Sequence, residues 1–362
     1  MVVKNKDKKI RVAVAMSGGV DSSVAAAVLK DKGYDVFGLT MQFSFGVSAV
    51  SDARRVADTL GIKHYVIELT QELESLVITD FCKQYLKGRT PNPCVICNEH
   101  VKFGVFLEKA NELGAEFLAT GHYARIIRGQ GTPAFGRQGD RGQSTLKKAK
   151  DLRKDQSYFL YRLKQEQLKK IIFPLGNLKK EEVRLLAKKY RLPVADKPDS
   201  QEACFVPGGD CRAFLKSRVA SLIKPGEIVD TKGNVLGGHD GICFYTIGQR
   251  QGLKIAWGYP LYVLKINPQE NRIVVGKKEE AYAKEFLVGD LNFIVKQRKN
   301  KFAAQVKIRY NHTQAPAELL LRKDGAKVKL KTAQFAVTPG QSAVFYHGEV
   351  VLGGGVIKEV VD

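Results

Sequence analysis

The sequence predicts an α/β protein: a doubly wound parallel sheet, followed by a small mixed domain and a C-terminal β-barrel. Three observations carry that prediction. Buried apolar runs alternate with helical segments through the first third of the chain. One of the strand–helix turns reads Ser17-Gly-Gly-Val-Asp-Ser22. Beyond about Phe205 the pattern becomes one of short alternating strands separated by turn signals.

In chain order, Ile10–Met16 reads as a buried strand and Ser22–Lys32 as a helix ended by Gly33. Val36–Met41 is a second strand. Ser51–Leu60 is a helix stopped by Gly61, and His64–Leu69 is a third strand. Phe106–Leu113 ends a helix at Gly114, and Phe117–Thr120 is another strand. This alternation is the mark of a parallel sheet covered by helices. Ligands of such sheets sit beyond the carboxyl ends of the strands. Between Arg128 and Gln143, Gly129, Gly131, Gly136, Gly139 and Gly142 with Pro133 predict a loop or hairpin rather than a core element. Leu178–Tyr190 is a helix with Pro193 just beyond it. In Phe302–Tyr310, Phe302, Ala304, Val306, Ile308 and Tyr310 alternate with Gln305, Lys307 and Arg309. Val328–Lys331 and Ser342–Tyr346 behave similarly, and Pro339-Gly340 and His347-Gly348 supply turns. Together these predict a small barrel.

At 362 residues the chain is long for one domain. With 44% hydrophobic and 27% charged residues it is globular rather than disordered. Lys plus Arg number 59 against 37 Asp plus Glu, a net charge of +22. That excess attracts polyanions, nucleic acid foremost, because neutralised phosphates release counterions. Six cysteines are too few for a disulfide scaffold, and no stretch approaches a membrane span. Met1–Lys9 is polar, and the apolar run after it is too short for a secretory signal. The expectation is a reducing cytoplasm, in which thiols are available for chemistry or metal.

The segment Ala15-Met-Ser-Gly-Gly-Val-Asp-Ser22 leaves a buried strand and opens a helix. Glycines let the backbone pass close to a phosphate, and N–H groups at a helix start point at it. Ser17, Ser22 and Ser23 add hydroxyls, and Asp21 is a candidate ligand for Mg²⁺ bridging phosphates. The Gly-Lys-Ser/Thr ending of a Walker A loop is absent. The motif resembles the pyrophosphate loop of enzymes that split ATP into AMP and pyrophosphate, the adenine nucleotide alpha hydrolase-like fold. That resemblance implies that Ala15, Met16, Ser17, Gly18, Gly19, Val20, Asp21 and Ser22 bind ATP phosphates. It also implies that Met41 and Gly121 lie on the nucleotide.

Cys94 and Cys97 lie in Gly88-Arg-Thr-Pro-Asn-Pro-Cys-Val-Ile-Cys-Asn98, where Pro91 and Pro93 favour extended backbone. A thiolate is both nucleophile and metal ligand, and cations such as Arg89 and Lys102 stabilise it. Four readings follow for Cys94, Cys97 and Cys204. The Cys94-x-x-Cys97 pair can hold zinc, with His100 or Cys204 completing the site. They can form a redox pair, ligate an iron–sulfur cluster, or carry sulfur as a persulfide. The absence of a second Cys-x-x-Cys weakens structural zinc. Cys82, Cys211 and Cys243 read as small buried residues.

A more specific resemblance spans the whole chain. Thr90-Pro-Asn-Pro-Cys-Val-Ile-Cys-Asn98, Lys102-Phe-Gly104, Lys154-Asp-Gln-Ser-Tyr-Phe-Leu160 and Asp199-Ser-Gln-Glu-Ala-Cys-Phe205 occur in that order. Thr246-Ile-Gly-Gln-Arg-Gln-Gly252, Arg309-Tyr310 and Thr338-Pro-Gly-Gln-Ser342 follow. The chain resembles the tRNA-specific 2-thiouridylase family. The resemblance implies ATP-dependent adenylation of carbon 2 of the wobble uridine, then sulfur transfer, with Cys97 as nucleophile and Cys204 as persulfide carrier. A Cys97–Cys204 disulfide would be the product to be reduced. It also implies that Asn92, Pro93 and Cys94 line the target base. Lys154, Asp155, Gln156, Arg309 and Tyr310 would contact tRNA, and His122 and Gln341 would help select among tRNAs. Lys147–Lys170, with nine basic and three acidic residues, is a further phosphate-tracking surface. Glutamate, glutamine and lysine tRNAs are the expected substrates, with a cysteine desulfurase or relay protein as sulfur donor.

The chain departs from the family at two places. Some members carry aspartate at the position of Cys94, so Cys94, Cys97 and Cys204 are also candidate ligands of a [4Fe–4S] cluster. Gln42–Ser51 is short for a loop common in relatives. The expected division is 1–205 for the ATP domain, 206–282 for a small central domain and 283–362 for a tRNA-binding barrel. Two competing functions differ in their parts. Pyrophosphate-loop synthetases have no need of Cys97 and Cys204, and a tRNA-binding protein holding ATP as a structural ligand would release no AMP.

Overall fold

The computed structural model describes residues 9–44, 47–129, 142–199 and 203–361. Gly131, Pro133, Gly136 and Gly139 of the glycine-rich loop lie outside the described residues, as do Ser200, Gln201 and Glu202 of the Cys204 motif and Met1–Lys8. Packing gathers the described residues into two compact units. The first draws on Met1–Leu76, Val95–Gln201 and Glu349–Val351, the second on Val77–Cys94, Glu202–Gly348 and Leu352–Asp362.

The first unit is built on a parallel sheet. Its strands are β1 (Arg11–Ala15), β2 (Asp35–Gln42), β3 (His64–Glu68) and β4 (Phe117–Thr120), flanked by an antiparallel pair β5 (Ala124–Arg128) and β6 (Ser144–Lys148). A two-residue edge strand, β7 (Ile171–Ile172), completes the order β3-β2-β1-β4-β7. All pairings in that sheet are parallel. Strands buried on both faces read as unbroken apolar runs, as in Val12-Ala-Val14. Helix α1 (Val20–Asp31) buries Val24, Ala25, Ala26 and Ala27 against β1, and their small side chains let helix and sheet approach closely. Helix α2 (Val47–Leu60) adds Ala53, Val56 and Ala57 to the same core. The edge strand escapes sequence patterning because two residues carry no period. The glycine-rich stretch proves to be flanked by a hairpin, Ala124 facing Lys148 and Arg128 facing Ser144.

The second unit holds two sheets. The smaller consists of β8 (Gly226–Val229), β9 (Val235–His239), β10 (Tyr262–Asn267) and β11 (Arg272–Gly276), in the order β10-β11-β8-β9. Its core contains Ile228, Tyr245, Val263, Ile273 and Val275. The larger contains β12 (Tyr282–Phe293), β13 (Lys301–Lys307), β14 (Ala315–Arg322), β15 (Gly325–Phe335), β16 (Ser342–His347) and β17 (Val350–Val360). These run β12-β15-β14-β13-β16-β17 and close as a six-stranded barrel where β17 returns to β12, Phe286 facing Val360 and Phe293 facing Gly353. Closure removes unpaired strand edges. Val77–Cys94 joins this unit although it precedes most of the first, because Phe81 packs edge-on to Phe205 and Phe214 at 5.1 and 6.1 Å.

Candidate functional site

Parallel strands end on one edge of the sheet. Register sets Ala15 beside Leu39 and Thr120, so the Met16–Gly19 turn and Gly121 leave the sheet close to Met41, which is still paired with Ile67 near the end of β2. The turn is ordered by its own hydroxyls. Ser17 N donates to Ser22 Oγ at 3.2 Å, and Ser22 and Ser23 hydroxyls donate to Gly19 O at 3.1 and 2.8 Å. Gly18 has φ +68°, and a Cβ there would lie 2.6 Å from Ala49 O, so the turn requires glycine. Gly121 is required for contact instead: a Cβ would lie 2.7 Å from Ser22 N and 2.8 Å from Asp21 C. Thr40 Oγ1 donates to Met16 O at 2.8 Å and fixes the strand end beside the turn. Met16 is buried, while Met41 is only half-buried and stands at the open edge.

Asp21 sits at the mouth of this turn within a charge cluster. Lys180 Nζ lies 2.7 and 2.9 Å from its two oxygens, and Tyr123 OH donates to Oδ1 at 2.7 Å. The same ammonium reaches Asp199 Oδ1 at 2.8 Å, and Asp199 also receives Lys154 and Arg184, each at 2.8 Å. Desolvation alone would raise the Asp199 carboxyl, but hydrogen bonds and charge from Lys154 and Lys180 outweigh it and hold the group at about 2. Burial, then the neighbouring Asp21 carboxylate, push the Tyr123 phenol far above its ordinary value, so it stays a donor. Lys197 Nζ ties Gly18 O (3.2 Å) to Asp52 (2.6 Å) on the far side of the turn. Asp21 offers hard oxygen donors beside this turn, the ligand type that Mg²⁺ takes, one or two carboxylates together with substrate phosphates. Such an ion would have to displace part of the Lys180 contact.

Cys97 is buried at the start of a π-helical stretch, Cys97–Val105, that continues the short helix Pro93–Ile96 and is kinked at Gly104. π-turns leave carbonyls without their usual partners and recur at functional sites. Here Gln167 Nε2 donates to Glu99 O and Phe103 O at 3.1 and 2.7 Å, and Asn98 Nδ2 to Phe159 O at 3.1 Å. Cys94 and Cys204 are exposed. His100 is beside Glu99 at 3.3 Å. Among the described residues no group of three or more His, Cys, Asp or Glu side chains is gathered to hold a metal ion.

The residues expected at tRNA divide into two kinds. Lys154 is partly exposed and held by Asp199. Asp155 turns inward: Ala149 N and Ser157 N donate to its Oδ1 at 2.9 and 3.2 Å, and Ser157 Oγ donates to its Oδ2 at 2.8 Å. Gln156 is zipped to Tyr123, its N–H donating to Tyr123 O and its Oε1 accepting from Tyr123 N, at 2.8 and 2.9 Å. Asp155 and Gln156 therefore fix the loop that carries Lys154 and hold Tyr123 on Asp21. Arg309 donates to Ile247 O at 2.8 Å and bonds Thr338 Oγ1, while the Lys307 ammonium lies 5.2 Å from the Tyr310 ring centre. His122 bonds Thr120 Oγ1 at 2.7 Å between Phe103 and Phe173, and burial, then Lys102, hold its pKa well below the ordinary value. Gln341 Nε2 grips Thr90 O and Pro91 O at 2.9 and 3.3 Å, and Thr90 N donates to Pro339 O at 3.0 Å. The strand of chain leading to Asn92, Pro93 and Cys94 is thus stapled to the barrel. Beside it lies a cleft of about 840 Å³ whose lining includes Lys87, Arg89, Lys265, Tyr282 and Lys358.

Sequence reasoning missed Tyr123, Lys180, Lys197 and Asp52, and gave Asp199 no role. One signal was available: Lys179 and Lys180 open a helix, where the macrodipole disfavours cations.

A strand-edge turn of this composition on a parallel sheet defines a nucleotide-binding α/β protein of the pyrophosphate-loop class. Residues 10–208 match the family described as tRNA methyl transferase HUP domain. Residues 212–277 match its PRC-barrel domain, and 283–357 match an aminomethyltransferase beta-barrel domain. The tRNA-specific 2-thiouridylase MnmA of Carboxydothermus hydrogenoformans is 47% identical over 96% of this chain and 98% of its own length. MnmA 1 of Caldanaerobacter subterraneus subsp. tengcongensis is 47% identical over 97% and 98%. MnmA of Acetivibrio thermocellus is 47% identical over 97% and 99%. The chain belongs to the tRNA-specific 2-thiouridylase family.

Proposed function

We propose that this protein is a tRNA-uridine 2-sulfurtransferase, which uses ATP to exchange oxygen for sulfur at carbon 2 of the wobble uridine and releases AMP and pyrophosphate. The observation that carries the reading is the Ala15–Ser22 turn with Asp21 at its mouth, in a chain nearly half identical to 2-thiouridylases over its whole length.

The backbone N–H groups at the start of α1 and the Ser17 and Ser22 hydroxyls receive the phosphates, with Met41 and Gly121 against the adenosine. Asp21 would hold Mg²⁺, which would supply positive charge for the departing pyrophosphate. The uracil O2 attacks the α-phosphorus and pyrophosphate leaves, so that a poor leaving group becomes AMP. The terminal sulfur of a Cys204 persulfide then attacks carbon 2 and expels AMP. Cys97 thiolate attacks the Cys204 sulfur, releasing thiolated uridine and leaving a Cys97–Cys204 disulfide for an external dithiol to reduce. Alternatively, Cys97 frees sulfide from the persulfide first, and that sulfide attacks. Asn92, Pro93 and Cys94 line the extruded base, which must leave its stack to be reached. Lys154, Arg309 and Tyr310 contact the tRNA, Asp155 and Gln156 act through the loop they fix, and His122 and Gln341 contribute to tRNA choice. Residues 1–205, 206–282 and 283–362 are the corresponding ATP, central and tRNA-binding domains. The sulfur donor is a cysteine desulfurase or relay protein, the substrates are glutamate, glutamine and lysine tRNAs, and the compartment is the cytoplasm. No helix among the described residues is long and apolar enough to cross a membrane.

Cys94, in place of an aspartate, is the argument for a second route, in which Cys94, Cys97 and Cys204 would bind a [4Fe–4S] cluster; the described residues gather no such ligand set. Iron analysis of anaerobically purified protein separates the two, since a sulfur-transferring but iron-lacking protein eliminates the cluster. Methyl transfer, the term in the family descriptions, requires neither an ATP-splitting loop nor two thiols.

The test is anaerobic incubation with ATP, a persulfide source and unmodified glutamate tRNA, read by mass spectrometry. Sulfur-for-oxygen exchange with equimolar AMP, lost in Cys97→Ser and Cys204→Ser, is expected. A methyl gain, or tRNA binding without AMP, would refute the proposal.

A further inference from the structure

Between Gly248 and Val263 the chain leaves the smaller sheet of the second unit and returns to it. Val263 closes the excursion at its base, accepting from Gly248 N at 2.8 Å and donating to Gln249 O at 2.9 Å. Compact loops with joined ends are frequent carriers of function. Leu253 and Leu261 are buried in the core of that sheet, and Ile255 packs half-buried against it. Between these anchors residues 256–260 are all exposed. A Cβ on Gly258 would meet nothing within 4 Å, so the tip stands clear of its surroundings.

The tip carries Trp257, the only tryptophan of the chain, and Tyr259, 48% and 44% exposed. Leaving two large rings half in water forgoes part of the hydrophobic gain of burying them. The rings meet edge-on, centroids 6.5 Å apart at 90°, and the Lys277 ammonium stands 5.1 Å from the Tyr259 ring centre. They are therefore braced before any ligand arrives, which lowers the ordering cost of binding. Arg250 and Lys254 are exposed on the same loop, and residues 249–260 include no Asp or Glu. Aromatic rings among cations on a projecting loop have the composition of a single-strand nucleic-acid site, since every base offers a π-face and every phosphate a charge. A protein-docking patch is built on contiguous apolar surface. Here Leu253 turns inward, and the exposed companions of the rings include Arg250, Lys254 and Lys277.

We propose that the Trp257 tip is a stacking site for an unpaired base of the tRNA. Trp257 stacks on the base, Tyr259 braces the indole, and Arg250, Lys254 and Lys277 attract the flanking phosphates. The inference rests on the reading of tRNA as the substrate and adds a contact to those of Lys154, Arg309 and Tyr310.

The experiment is fluorescence titration of the intact chain with an unmodified glutamate tRNA transcript, exciting tryptophan at the red edge of its absorption. With one tryptophan in the chain, the emission reports this tip alone. Stacking should quench it in step with tRNA binding measured separately by filter retention, and a fully paired RNA duplex should leave it unchanged. Trp257→Ala, with folding checked by thermal melts, should bind tRNA about five- to a hundredfold more weakly, the range of one base–aromatic stack. Its KM for tRNA should rise while its KM for ATP holds, and Trp257→Phe should keep most of the affinity. Lys254→Gln should lower the slope of log affinity against log salt by about 0.7, and Trp257→Ala should leave that slope unchanged. Retained tRNA with unaltered emission, or wild-type affinity in Trp257→Ala, overturns the inference, as does equal quenching by the duplex. Emission that changes with protein concentration in the absence of RNA marks a contact between copies of the chain and also overturns it. If the unaltered protein retains no tRNA, the substrate reading itself fails, and the inference with it.

Discussion

Replacing Asp199 by Asn tests the charge cluster through its pH dependence. The Asp199 carboxyl is held at about 2 instead of 3.8 by Lys154 and Lys180. At about 1.4 kcal/mol per tenfold in proton affinity, that corresponds to about 2 kcal/mol of folding stability. The side chain is 23% exposed, so water screens part of it, and about 1–2 kcal/mol is the expected contribution. The folded value is depressed, so the contribution is complete above the unfolded carboxyl's range near 3.8 and is lost as pH falls toward about 2. Urea unfolding of the wild type and Asp199→Asn should therefore differ by about 1–2 kcal/mol between neutral pH and about pH 5. The difference should close progressively below about pH 4. Taking the difference between two proteins cancels the other carboxylates that titrate in the same range. A gap that persists unchanged into strong acid would mean that the substitution acts through packing and not through charge. No gap at neutral pH would mean that the ion pairs contribute nothing.

Three further outcomes are expected. Gly121→Ala places a methyl group against the backbone of Asp21 and Ser22, costing about 1–3 kcal/mol, so ATP-analogue affinity measured by titration should fall at least about tenfold while tRNA affinity holds. Tyr123→Phe removes one hydrogen bond to Asp21, about 0.5–1.5 kcal/mol, and should lower kcat/KM for ATP by up to about tenfold in an AMP-release assay. Gln341→Ala frees the Thr90 and Pro91 carbonyls, so the KM for tRNA should rise severalfold in steady-state thiolation while the KM for ATP stays unchanged.

The sequence alone determined the features that are local in the chain. Val12-Ala-Val14 and Phe117–Thr120 announce buried parallel strands because their composition is continuous, and Ser17–Ser22 announces a tight strand–helix turn because glycine and hydroxyl spacing defines it within six residues. Cys97 and Cys204 are singled out by the motifs around them. What it could not supply were contacts between residues far apart in the chain. Asp21 meets Lys180 across 159 positions, and Gln341 meets Thr90 across 251. Neither pairing leaves a period, a spacing or a turn signal in the sequence. The π-helix at Cys97 was likewise invisible, since Gln167 stabilises its carbonyls from more than sixty positions away. The tertiary structure also decided which charged residues of Lys154-Asp-Gln156 face outward. Asp155 is buried because its carboxylate replaces missing backbone partners at Ala149 and Ser157, a demand that arises only once the loop is folded against β6.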